Sequence, residues 1–332
     1  MSVIDCFVSV VAPLHDDRRI VEPFVVEVIE VLRQHYTHYE LILVNDGSED
    51  DTIEAVTSLL DRYECIRLIN LSRSFGIDVA ISSGLDSVIG DFVVVMVPES
   101  DPPSLIPELI EQSRCGKDLL IGVRCDRHDE PFWMQTGANT FYWICQKLLK
   151  IPLIQNSTQF RVLSRPVVNA ITQVQDKSRY LRLMSSYVGY SSQIFTYNFI
   201  KRYKRRRLKS IFELLDTGLQ IIVVNSVRPL RLASYIGLLA SIFNIAYIGY
   251  IALIYLFKPE VAEGWVTLSF QSAIMFFFIS MVLTILSEYV GFILDRLKGF
   301  PAYYVASEKN SSVLVALPEQ RNVVNHSDNV QI

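Results

Sequence analysis

Two long apolar runs limit what this chain can fold into. Leu232–Phe257 carries no charged residue, and Trp265–Leu294 carries one, Glu288, near its end. A helix of about 20 apolar residues crosses a bilayer. Both runs exceed that length, and the connector Lys258–Gly264 is short. They read as a two-helix transmembrane hairpin with spans at about 232–257 and 265–294. The rest of the chain must then fold in water beside a membrane.

Basic residues set the orientation. They crowd Lys201–Arg231 and return at Arg296 and Lys298, while the connector has only Lys258. An excess of Lys and Arg marks the cytoplasmic side, so both termini are expected in the cytoplasm. Between these charges, Ile211, Phe212, Leu214, Leu215, Leu219 and Ile222 give a helix a broad apolar side. Residues 201–231 therefore read as a juxtamembrane amphipathic helix that attracts anionic membrane lipids. Composition agrees, because the hydrophobic share of 50% is concentrated in 232–294. A net charge of −4 carries no nucleic-acid signal. The 5 cysteines form no C-x-x-C pair, which favours a reducing cytosol over a disulfide framework. Met1–Asp5 lacks a basic n-region, so no signal peptide is expected.

Residues 1–200 alternate strand and helix patterns. Strands are expected at Cys6–Ala12, Glu40–Val44, Ile66–Leu71, Val93–Val97 and Asp118–Val123, with helices near 20–35, 52–63, 77–89 and 103–114. That order argues for right-handed βαβ units in an α/β domain with a mainly parallel sheet. Phe160–Arg165 reads as a short strand before a helix from Pro166. The aromatic-rich Glu130–Lys150 reads as a packing helix. Residues 307–332 are polar with few apolar anchors and are expected to be a mobile tail.

The chemistry concentrates at strand ends. Val93–Val97 is a continuous apolar run, stopped by Pro98, which has no N–H for a ladder. Glu99 and Asp101 follow at the C-terminal end, where open α/β sheets bind ligands. Their carboxylates suit Mg²⁺ or Mn²⁺ on a substrate phosphate; a solvated acidic loop is the competing reading. Asp46, in the turn Asn45-Asp46-Gly47-Ser48, can accept hydrogen bonds from a base or a ribose, or can cap its own turn at Ser48.

In order and spacing the chain resembles the inverting glycosyltransferases of family 2, with a GT-A Rossmann-like fold. More narrowly it resembles the membrane-anchored polyprenyl-phosphate glycosyltransferases related to dolichyl-phosphate mannose synthase. The matching pieces are Val8-Ser9-Val10-Val11-Ala12-Pro13, Val44-Asn45-Asp46-Gly47-Ser48, Leu71-Ser72-Arg73-Ser74-Phe75-Gly76, Asp101-Pro102-Pro103, Phe160-Arg161-Val162-Leu163-Ser164-Arg165, Val227-Arg228-Pro229-Leu230-Arg231 and Ser287-Glu288-Tyr289-Val290-Gly291. The resemblance implies a nucleotide-sugar donor, a polyprenyl phosphate acceptor, a divalent metal, and a cell-envelope glycan product made at the cytosolic face of a bacterial inner membrane. It implies donor contacts at Pro13, Asp17, Asp46 and Arg73. Catalytic candidates are Glu99, Asp101 and Arg161, with Glu99 and Asp101 as metal ligands. Arg202 and Arg205 would receive the lipid phosphate bidentately.

The departures fall in the same site. The family's Asp-x-Asp before Asp-Pro-Pro is replaced by Val97-Pro98-Glu99-Ser100, one residue shorter. Gln159 stands where the family has an Asp before Phe-Arg, and Gln cannot serve as a base. Ile77 replaces an expected basic residue. Three functions fit: an active transferase with an altered metal site, a catalytically impaired partner or scaffold of another membrane glycan enzyme, or a membrane-anchored binding module. Small residues Gly237, Ala240, Gly249 and Ala252 would let spans pack into a homo-oligomer.

Overall fold

The computed structural model describes residues 4–125, 142–148, 154–173, 181, 189–200, 202, 235, 237, 239, 242, 243, 246, 264–297 and 301–313. The chain divides into two compact units. The first comprises Met1–Thr136, Pro152–Arg207 and Pro301–Ile332; the second comprises Gly137–Ile151 and Leu208–Phe300.

The first unit begins with β1 (Ile4–Leu14), α1 (Val21–His35), β2 (Tyr36–Asn45), α2 (Thr52–Leu60), β3 (Ile66–Leu71), α3 (Ile77–Leu85) and β4 (Phe92–Val95). It continues with a 3₁₀ turn at Pro103–Leu105, α4 (Ile106–Arg114), β5 (Leu119–Arg124), β6 (Ser157–Ser164), α5 (Arg165–Thr172) and β7 (Ser192–Tyr197). The sheet order is β7-β5-β6-β4-β1-β2-β3, with β8 (Val305–Asn310) added beside β3. Strands β4, β1, β2 and β3 run parallel. Beyond β4 the sheet is mixed, because β6 enters antiparallel between β4 and β5.

Side-chain alternation explains the layers. Val8, Val10 and Ala12 of β1 join Leu41 and Leu43 of β2 in one core with Phe24 and Val28 of α1, Leu59 of α2 and Ile110 of α4. Val11, Ile42 and Val44 point the other way, to Ile81 and Leu85 of α3 and Val168 and Ile171 of α5. Period-2 geometry sends neighbours to opposite faces, and helices on both faces bury both sets. This is why these strands read as unbroken apolar runs. Gly84 lets α3 lie close on β1, since a Cβ there would stand 2.4 Å from Val11 Cγ1.

The expected polar tail from residue 307 is corrected at its start. Val305–Asn310 pairs antiparallel with β3, the Cys65 N–H donates to Val313 O at 2.8 Å, and Val313 is buried. Backbone bonding to an open sheet edge holds this strand, which needs few apolar anchors. In the second unit, α6 (Trp265–Leu297) covers the second expected span. Among the described residues it is the one helix long and apolar enough to cross a membrane, over Ile274–Gly291. Several of its large apolar side chains are exposed, Phe276 being 68% and Phe277 66% exposed. The first expected span lies largely outside the described residues, as do the 201–231 segment apart from Arg202, most of Glu130–Lys150, and the chain beyond Val313.

Candidate active site

The loops after β1, β2, β3 and β4 all leave the same edge of the sheet, and backbone and carboxylate groups tie the first three together. The first pair is joined like a zip. The Asp46 N–H donates to Leu14 O at 2.8 Å, the Asp16 N–H to Ser48 Oγ at 3.0 Å, and the Glu49 N–H to Asp16 Oδ1 at 2.9 Å. Asp16 sits at φ 54, a region that L residues seldom use. Pro13 is buried within β1 opposite Val44. Asp17 is buried too: its N–H donates to Thr52 Oγ1 at 2.9 Å and its Oδ2 accepts the His15 N–H at 2.9 Å. The His15 ring is exposed in this corner, with its Nδ1 2.8 Å from Asp46 O.

Asp46 does not cap Ser48. Asn45 does, through Oδ1 to the Ser48 hydroxyl at 2.5 Å. The Asp46 carboxylate turns to the loop after β3 instead. It accepts the Phe75 N–H at 2.7 Å, the Gly76 N–H at 2.9 Å and the Ser74 hydroxyl at 3.0 Å. Gly47 permits this approach: at φ 61 it passes so close that a Cβ would stand 2.4 Å from Ser74 N. The loop held by Asp46 carries Arg73 on the open edge, exposed, with its guanidinium 4.9 Å above the Phe75 ring.

The loop after β4 closes on itself. Asp101 is 1% exposed. Its Oδ2 accepts the Val97 N–H at 2.7 Å, and its Oδ1 accepts the Ser100 hydroxyl at 2.9 Å and the Tyr197 hydroxyl at 2.6 Å. Burial pushes the Asp101 carboxyl up to about 6, against the opposing pull of these donors. Burial, and then the neighbouring Asp101, drive the Tyr197 phenol far above its ordinary value, so it remains a donor. Arg202 locks the loop from outside. It donates to Pro98 O at 2.8 Å and Asp101 O at 3.1 Å, and it pairs with Glu27 of α1. Its side chain is only 9% exposed. The structure thus places Arg202 as a clamp of the loop, and Arg205 lies outside the described residues. Arg161 is fully buried on β6 opposite Val95, with Nη1 3.5 Å from Gln159 Oε1.

These positions bring Asp46, Arg73 and Asp101 to one sheet edge, but not as an open ring of ligands. The metal that the resemblance implies finds a poor donor set. Asp101 is sequestered by three protein donors, Glu99 is half-buried, and no cluster of three His, Cys, Asp or Glu side chains occurs among the described residues. Tyr197, Ser74 and Asn45 hold the site's carboxylates and turns, roles that the sequence does not mark. Tyr197 lies on a mostly exposed edge strand, distant in sequence from Asp101, so no local pattern marks it.

A family model described as "Glycosyl transferase family 2" matches residues 9–172. Along nearly the whole chain, the Bacillus subtilis protein described as uncharacterized glycosyltransferase YkcC is 30% identical over 300 residues, covering 90% of this chain and 92% of that protein. The chain belongs to glycosyltransferase family 2. This family 2 glycosyltransferase is also 29% identical to an uncharacterized glycosyltransferase of Synechocystis, over 90% of this chain and 94% of that protein. The bactoprenol glucosyl transferase of Shigella phage SfV is 26% identical over 303 residues, 91% of this chain and 99% of its own length. A glucosyl-3-phosphoglycerate synthase structure from Mycobacterium tuberculosis aligns over 66% of this chain and 78% of that one, at 18% identity and a TM-score of 0.45, below the level at which sites can be compared.

Proposed function

We propose that this family 2 glycosyltransferase moves a sugar from a nucleotide-sugar donor to a polyprenyl phosphate, inverting the anomeric centre, at the cytosolic face of a bacterial inner membrane. One observation carries the reading. The relative named for glucosyl transfer to bactoprenol matches 91% of this chain, through the soluble domain and on into α6.

The chemistry suits the residues. An acceptor phosphate is already anionic and needs no strong base, so positioning and charge neutralisation supply the rate. A phosphate oxygen attacks the anomeric carbon from the face opposite the leaving group. The carbon–oxygen bond to the diphosphate breaks as the new one forms, and the nucleoside diphosphate departs with the electron pair. Arg73, on the loop fixed by Asp46, would meet the growing negative charge on that diphosphate. The Leu14–Arg19 and Asp46–Asp51 loops, with the His15 ring, would border the nucleoside. The outward apolar side chains of α6 suit a lipid environment. A second span over 232–257, with both termini cytoplasmic, would complete the hairpin.

The test is to incubate the detergent-solubilised protein with radiolabelled UDP- and GDP-sugars and polyprenyl phosphate, with and without Mg²⁺ or Mn²⁺. Labelled lipid product supports the reading. Nucleotide binding without turnover across the panel would favour a non-catalytic partner.

A further inference from the structure

Gln159 looks like a loss, since the resemblance places an Asp there. Its surroundings account for the amide. The Gln159 Nε2 donates to Asp78 Oδ1 at 2.9 Å, and its Oε1 faces Arg161 Nη1 at 3.5 Å. Acid on one side and cation on the other fix which way the amide points. Gln159 is buried, and Arg161 behind it is wholly so.

The placement of Asp78 adds to this. It stands in the first turn of α3, where the helix N-terminus favours a carboxylate. The residue two before it, Gly76, gives its N–H to Asp46 at 2.9 Å. A continuous line of bonded groups therefore runs from the Asp46 turn through the start of α3 to Gln159 and Arg161 on β6, beside the end of β4. A carboxylate of the same reach at 159, that of Glu, would face the Asp78 carboxylate at hydrogen-bond distance, where two like charges cannot both ionise.

We propose that Asp78 is a positioning residue for sugar transfer: it holds the Gln159 amide and, through it, the Arg161 guanidinium, so that Asp78 and Gln159 together replace the single acid expected at 159. The inference rests on the transfer reaction proposed above. It assigns the acidic charge of this corner to α3 and the neutral, bidirectional hydrogen-bonding group to β6. The pair is then reversible in principle. An amide at 78 and a glutamate at 159 would restore the same bond with donor and acceptor exchanged.

The experiment compares Q159E, D78N/Q159E, D78A and the full-length wild-type protein in the transfer assay, reading kcat, donor KM, the pH profile and the melting midpoint. Q159E is expected to lose about tenfold or more in kcat near neutral pH, with donor KM little changed. It should regain activity as pH falls, because one shared proton relieves the facing carboxylates. D78N/Q159E should recover most of the lost kcat and lose the acid-shifted profile. D78A, which removes the acceptor without adding charge, should lower kcat by a similar factor with only a small drop in melting midpoint from the lost helix-terminal carboxylate, and it serves if Q159E fails to fold. Q159E or D78A with wild-type kcat across pH, or a folded double variant no better than Q159E, would overturn the role of Asp78. Wild-type protein with no turnover would instead overturn the transfer reaction, and the role with it.

Discussion

Asp46 accepts the backbone N–H of Phe75 at 2.7 Å and, through its other oxygen, that of Gly76 at 2.9 Å. One strand-end carboxylate thereby shapes the loop that follows the neighbouring strand. A residue expected to touch the donor directly is first of all the anchor of Arg73. Asp46→Asn keeps the side-chain size but puts an NH₂ group against N–H and hydroxyl donors. Charge-assisted bonds of this kind are worth about 1.5–3 kcal/mol each. Nucleotide-sugar affinity should fall on the order of tenfold or more, by titration calorimetry, with a lowered melting midpoint. Unchanged affinity and midpoint would remove Asp46 from the account.

The buried Asp101 carboxyl makes a pH prediction. Its folded value of about 6 lies above the ordinary carboxyl value of about 3.9. Between those values the folded state holds a proton that the unfolded chain has released. The contribution of Asp101 to stability therefore falls as pH rises from about 4 to about 6 and is level above that. Denaturant midpoints measured at pH 4 to 7 should show this slope in the wild-type protein and a flatter one in Asp101→Asn. The same slope in both proteins would contradict it.

Tyr197 supplies the shortest of the three donors to Asp101, at 2.6 Å, and also reaches Thr158 Oγ1 at 3.0 Å. Tyr197→Phe keeps the ring contacts with Phe160 and Phe199 and deletes the hydroxyl. It should destabilise the protein by about 1–3 kcal/mol and move the Asp101 titration to higher pH. Thermal melts across the same pH range check both effects.

Much of the scaffold is legible in the sequence, because buried parallel strands are the least ambiguous pattern. Expected Ile66–Leu71 is β3 itself, and expected Glu40–Val44 lies inside β2. The helix expected over 52–63 spans Thr52–Leu60. Strand β8 is not legible: its residues are Val-Ala-Ser-Glu-Lys-Asn, mostly exposed, and held through the backbone. The site is legible only as an edge. The spacing places Asp46 and Asp101 at strand ends, but cannot say that each carboxylate bonds to its own or a neighbouring loop. Those partners are set by the three-dimensional approach of β3 and β7. Arg202 shows the same limit: its position in a basic stretch suggests a phosphate ligand, whereas Pro98 O, Asp101 O and Glu27 occupy its guanidinium.

Glu40 offers a control far from the strand C-termini. Wholly buried, it accepts the Ser9 hydroxyl at 2.5 Å and the Ile89 N–H at 2.8 Å, and it lies 3.6 Å from Arg67. Arg67 also pairs with Glu308 of β8 at 2.8 Å. Glu40→Gln should lower stability by about 1–3 kcal/mol, since it uncouples a buried charge from its cation. Turnover per folded molecule should stay at the wild-type level. A loss of turnover in folded protein would mean that this network reaches the site.

The central claim is transfer to a phosphate, and it is tested most directly by offering the purified protein one nucleotide-sugar with either polyprenyl phosphate or the matching polyprenol. The account predicts a glycosylated lipid from the phosphate alone, its anomeric configuration by NMR opposite to that of the donor. A product from the alcohol, a retained configuration, or no lipid product from any donor would contradict it.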